Sequence, residues 1–151
     1  MTGDKMIIKL LTETNTRVLS ICLLLLRCTL GFILFVVGAG KVFGWFGGQG
    51  IELTIQNFVN MGITAPLAYL SCYTELIGGF LLIVGFLTRP AAFAVMINML
   101  VATIVMLPRG FFAGGASYPF SLMISAIIIQ LAGPMAYSVD SMLVDSSETI
   151  R

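Results

Sequence analysis

The sequence predicts an all-α integral membrane protein: a four-helix bundle with a short interfacial helix between its first two spans. Three observations carry that prediction. Of 151 residues, 58% are hydrophobic and only 10% charged, with a mean hydropathy of +1.04, more apolar surface than a soluble domain of this size can bury. The apolar residues gather into four runs separated by glycine- and proline-containing loops. Within three of those runs one polar residue stands near the midpoint: Arg27, Glu75 and Asn98.

Residues 1–17 form a polar, basic tail carrying Lys5, Lys9 and Arg17, read either as loosely ordered or as grazing a membrane surface through Met6-Ile7-Ile8, Leu10 and Leu11. Val18 to Gly38 exceeds the core of a secretory signal and lacks an A-x-A cleavage pattern, so it reads as a retained first span. Arg27, Gly31, Leu34, Gly38 and Lys41 recur at offsets of four and three, which puts them on one helical face with two places for close backbone approach. Gly40 to Gly50 is a glycine-rich turn in which Trp45 and Phe46 suit an interfacial aromatic belt. It is not a phosphate loop, because no strand precedes it and the G-K is not followed by Ser or Thr.

Ile51, Ile55, Phe58 and Val59 then keep helical spacing while Glu52, Gln56, Asn57 and Asn60 fall elsewhere, the pattern of a helix lying in the interface. Pro66 opens the second span, which runs to Leu87 and has Glu75 alone at its centre. As a helix it spans the ~30 Å hydrocarbon core. Thr88-Arg89-Pro90 reads as a tight turn before a third span, Ala91 to Leu107, centred on Asn98. The fourth, Tyr118 to Tyr137, holds Ser121, Ser125 and Gln130, and Gly133-Pro134 bends or closes it. The membrane domain is thus expected over 18–140, with tails at 1–17 and 141–151. Gly31 to Gly38 and Gly79 to Gly85 echo one another faintly, as glycine and aliphatics do by chance in membrane helices.

Composition excludes several functions. The chain has no histidine, which removes imidazole-ligated haem, histidine zinc sites and Ser-His or Cys-His catalysis. Cys22, Cys28 and Cys72 lie in apolar runs and form no C-x-x-C, so no disulfide scaffold, dithiol motif or metal site is expected. A net charge of +1 from eight basic and seven acidic residues leaves no broad basic face for nucleic acid.

A carboxylate at mid-membrane costs about 2.5–3.5 kcal/mol on insertion scales, so Glu75 needs a partner, a wet cavity or a role. The expectation is that antiparallel packing brings Arg27, Glu75 and Asn98 into one polar intramembrane layer. A guanidinium there can grip a carboxylate bidentately and keep donors for an amide oxygen. Tyr69, Cys72 and Tyr73, within two turns of Glu75, are candidate lining of the same pocket. Two readings stay open: a layer that only fixes helix register, since a buried ion pair punishes arrangements that strand one charge, or a pocket for a quinone headgroup, a small anion or a lipid headgroup. Lys41 and Arg109 are expected on the outer side, either snorkelling to the interface or serving the function, and Asp140 either caps or anchors the last helix near Arg89 or marks a solvated end. Lysine and arginine near the span ends favour both termini in the cytoplasm, with Lys5, Lys9, Arg17, Arg89 and Arg151 inside against Lys41 and Arg109 outside.

Arg27-x-x-x-Gly31 followed by Gly38-x-x-Lys41, then Gly62-Ile63-x-x-Pro66, Glu75-Leu76-x-Gly78-Gly79, Gly85-x-x-Thr88-Arg89-Pro90-Ala91 and Gly133-Pro134 with Ser138-Val139-Asp140 together resemble the DoxX family of small bacterial inner-membrane proteins, over about Leu26 to Asp140. The resemblance implies a four-helix membrane bundle and a redox association. Some relatives are membrane subunits of a thiosulfate:quinone oxidoreductase, or partners of thiol-handling and superoxide-detoxifying enzymes. By it Arg27, Lys41, Glu75, Arg89 and Asp140 match recurrent family positions. The chain departs in the loop Gly114 to Pro119, where Ser117 stands in place of an acidic residue common in relatives. Fold-level likeness does not fix chemistry, so three functions are carried forward: a membrane component of a quinone- or thiol-linked redox system with redox partner proteins, a non-catalytic scaffold that recruits partner enzymes, and a carrier of a small lipid-like solute. A homo-oligomer is open under each.

Overall fold

The computed structural model describes residues 16–134 and 137–142; the expected tails, 1–17 and 141–151, lie almost wholly outside them. The described residues are helical, with no strand among them. The elements are α1 (Thr16–Phe43), α2 (Gly50–Asn60), α3 (Ala65–Val84), α4 (Thr88–Met106) and α5 (Ser117–Ala132), with 3₁₀ turns at Trp45–Gly47 and Leu107–Arg109. Three helices, α1, α3 and the α4 helix continued to Arg109, are long and apolar enough to cross a membrane. The chain is a multi-pass membrane protein.

Several boundaries differ from the sequence reading, each for a local reason. α1 does not stop at Gly38 but continues through Lys41 to Phe43, since nothing before Gly44, at φ 73°, forces the backbone out of the helix. Thr88-Arg89-Pro90 is the first turn of α4 rather than a separate turn, because a proline there forfeits only an amide that has no helical acceptor. α5 ends at Ala132, as Gly133 takes φ 76° and ψ −168°. Its 16 residues reach about 24 Å, short of the ~30 Å apolar core.

α1 packs most closely on α3 and α5 on α4; α3 joins the two pairs to one another, and α2 lies over the ends of α1 and α3. The α1–α3 contact is built on glycine. A methyl placed on Gly38 would meet the Leu76 backbone nitrogen at 2.5 Å, and one on Gly79 would meet that of Phe35 at 2.5 Å. The two helices therefore touch backbone to backbone, as small residues permit in membrane bundles. Leu30, Leu34, Leu82, Val95, Met99, Ala126 and Ile129 fill the centre and are almost wholly buried. A second, smaller cluster of Ile55, Ala68 and Cys72, joined by Ile51 and Phe58, seats α2 on the bundle.

Candidate functional site

The antiparallel α1–α3 register decides which charges meet. Gly38 lies against Glu75 and Leu76, Gly31 against Gly79 and Ile83, and Arg27 under Gly85. Arg27 is thus about three turns, some 16 Å along the axis, from the level of Glu75. The expected Arg27–Glu75 contact is not formed. Midpoint counting failed because α1, at 28 residues, overhangs the C-terminal end of the 20-residue α3, so equal distances along the two apolar runs are not equal heights.

The partner of Glu75 is Lys41, one turn beyond Gly38 on the face the sequence had marked. Its Nζ donates to Oε1 at 2.7 Å and lies 2.6 Å from Oε2. Lys41 does not snorkel outward; its stem turns back into the bundle, and its ammonium also sits 5.4 Å from the centre of the Phe58 ring, within cation–π range. The side chain of Glu75 is 5% exposed and that of Lys41 25%. Asn98 does reach Glu75, with Nδ2 3.5 Å from Oε1, so that part of the expected layer is present. The buried Cys72 and, from the start of α5, Tyr118 are within electrostatic range of the carboxylate. Tyr69 and Tyr73 instead face outward, each more than two-fifths exposed. Tyr73 lines a shallow apolar groove of about 320 Å³ between α3 and α4, not the charged site.

Above the pair, Thr54 of α2 turns its hydroxyl to Gly50 O at 2.7 Å and, more loosely, to Lys41 O at 3.5 Å. α2 thereby roofs the site with Ile51, Ile55 and Phe58. Lys41 was legible in the sequence on the marked face and as a family match but not as the partner of Glu75, and Tyr118 was not included in the expected site. The signal for Lys41 was there, in its offset of three from Gly38, but its place at the end of the apolar run suggested an interface.

A second polar cluster closes the opposite end. Arg27, 4% exposed, donates to Pro134 O at 3.2 Å and Tyr137 O at 2.8 Å. The Asp140 carboxylate accepts the amide hydrogens of Leu87, at 2.9 Å, and Thr88, at 2.8 Å. Asp140 therefore caps the N-terminus of α4, beside Arg89, and not the last helix as expected, and a carboxylate suits that end of a helix dipole. Partial burial alone would raise the Asp140 carboxyl, but the amide bonds from Thr88 and Leu87 and the field of Arg27 outweigh it and hold the group below its ordinary range. Arg89 lies against Gly133, whose missing side chain leaves it room. The segment after α5 is thus clasped across the ends of α1, α3 and α4.

A family model described as DoxX matches residues 22–108. The chain belongs to the DoxX family. This DoxX protein is also similar to "Putative oxidoreductase CatD" of Bacillus subtilis (strain 168), at 33% identity over 117 residues, covering 78% of this chain and 83% of the relative. No solved structure matches it. The five residues that the sequence resemblance singles out sort into two places in the structure: Lys41 and Glu75 in the roofed site, and Arg27, Arg89 and Asp140 at the clasped end. No group of three or more metal-ligating side chains occurs among the described residues.

Proposed function

We propose that this DoxX protein is a membrane component of a quinone-linked redox system, with Lys41, Glu75 and Asn98 holding the head group. Its setting on this reading is the bacterial inner membrane, with both termini cytoplasmic and α5 completing a fourth crossing, as the lysine and arginine distribution favours. One observation carries the proposal: an ammonium, a carboxylate and an amide converge under an amphipathic cover inside an otherwise apolar bundle.

These groups fit a carbonyl that must also be protonated. Lys41 directs its ammonium at both carboxylate oxygens and, with three donor hydrogens, keeps one for a second acceptor. Asn98, held only at 3.5 Å, can turn its amide to the same acceptor. Glu75 is placed to receive or deliver a proton. A bound quinone supplies carbonyl oxygens that take up two electrons and two protons, the electrons coming from a reductant on a partner protein. The name of the Bacillus subtilis relative supports a redox setting.

The test is quinone retained by protein purified into nanodiscs and measured by mass spectrometry. Wild type and Ser121→Ala, a change on the outer face of α5, are expected to retain it, while Lys41→Met and Glu75→Gln lose it although they elute as folded protein. Equal retention by all four, or none by wild type, would overturn the reading.

A further inference from the structure

We infer that the Lys41–Glu75 pair exchanges protons with water on one face of the membrane only, the face on which α2 lies, and that α2 is the cover that gates the exchange. The inference goes beyond the quinone reading and does not depend on it. The step is the uptake of one proton by the Glu75 carboxylate from water, leaving Lys41 charged, and its return by the same route.

Three features set the route. Exposure falls from 25% at the Lys41 side chain to 5% at Glu75, so the opening lies on the Lys41 side of the carboxylate. In the opposite direction the way is dry: Leu34, Leu82, Val95, Ala126 and Ile129 are each no more than 2% exposed, the α1–α3 seam is shut by Gly31 against Gly79, and the clasp made by Arg27 and Asp140 seals the far end. A proton cannot cross that stretch without a chain of polar groups; these five core residues offer none, and the buried polar side chains of Gln130 and Thr88 belong to the clasped end, where α5 finishes and α4 begins.

The third feature is the cover itself. Among the described residues α2 is held by apolar contact, by the Phe58 ring against the Lys41 ammonium and by one long hydrogen bond, Thr54 to Lys41 O at 3.5 Å. Glycines with positive φ bound it, Gly47 before it, Gly50 as its first residue and Gly62 after it, and a side chain built on any of them would touch nothing within 4 Å. Such uncrowded positions can absorb the backbone rotation of a hinged element. The titratable and charged groups around Glu75 are Lys41 from α1, Cys72 on its own helix and Tyr118 from α5; α4 presents the amide of Asn98. α2 turns Thr54 and Phe58 inward and keeps Glu52 exposed.

The experiment uses oriented membrane vesicles and a membrane-impermeant, positively charged methanethiosulfonate reagent, in a chain with Cys22, Cys28 and Cys72 changed to alanine. A single cysteine is placed by Lys41→Cys, by Thr54→Cys should the first fail to fold, and by Arg89→Cys as the marker of the clasped face. Labelling at 41 or 54 is expected only from the face opposite to that which labels 89. Adding Phe58→Ala, which opens the cover, is expected to speed the labelling at 41 or 54 and leave that at 89 unchanged. Labelling of 41 or 54 from both faces, or from the face that labels 89, would overturn the one-sided route. An unchanged rate on adding Phe58→Ala would overturn the role of α2.

Discussion

Removing either member of the Lys41–Glu75 pair strands the other charge in a site with little water. Lys41→Met is therefore expected to destabilise the bundle by about 3–5 kcal/mol, the usual cost of breaking a buried pair, measured as a fall in melting temperature in mild detergent. Lys41→Arg, which keeps the charge, should lose less. Asp140 gives a pH signature. Its carboxyl is held below its ordinary value of 3.8, so its ionised form stabilises the fold above that value, and the contribution is lost as pH falls through the lower, folded-state value. Wild type should accordingly lose stability more steeply than Asp140→Asn on acidification below about pH 4, measured by thermal melts across that range. A curve for Asp140→Asn parallel to that of wild type would show that the cap carries no such charge. Glu75 and Asn98 were legible as site residues because polarity in an apolar run is itself the signal. Lys41 was legible as a family match but not as the partner of Glu75, because a lysine at the end of a run is ordinarily an interfacial residue, and only the helix continuing to Phe43 brings its ammonium back toward Glu75.

The elements depend on a register that glycine sets. Because Gly38 and Gly79 are pressed against the backbones of Leu76 and Phe35, a side chain at either must push α1 and α3 apart. Gly79→Ala is expected to cost about 1–3 kcal/mol, the range for overpacking, and Gly79→Leu to abolish the folded monomer, both read by melting and gel filtration. The helices themselves were legible from apolar run length, and the amphipathic α2 from its spacing. Their ends were less so: α1 ran past Gly38, α4 took in Thr88-Arg89-Pro90, and α5 stopped at Gly133. Those few turns decide everything about pairing across helices, since an error of one turn displaces a side chain by about 5.4 Å. The faint echo of Gly31 to Gly38 in Gly79 to Gly85 has a packing consequence, for Gly31 and Gly79 face one another across the seam.

At the scale of the molecule, the buried charges fall at two levels of an apolar bundle. One level carries a roofed ion pair with an amide beside it; the other, at the helix ends, is a clasp in which Arg27 and Asp140 hold the returning chain. The sequence suggested one polar layer where the fold makes two, because chain position alone does not reveal how far α1 overhangs α3. The most direct measurement is a pair of double-mutant cycles on thermal stability, one for Lys41→Met with Glu75→Gln and one for Arg27→Met with Glu75→Gln. Coupling of about 1–3 kcal/mol is expected in the first and additivity within about 0.5 kcal/mol in the second; additivity in the first with coupling in the second would contradict the arrangement.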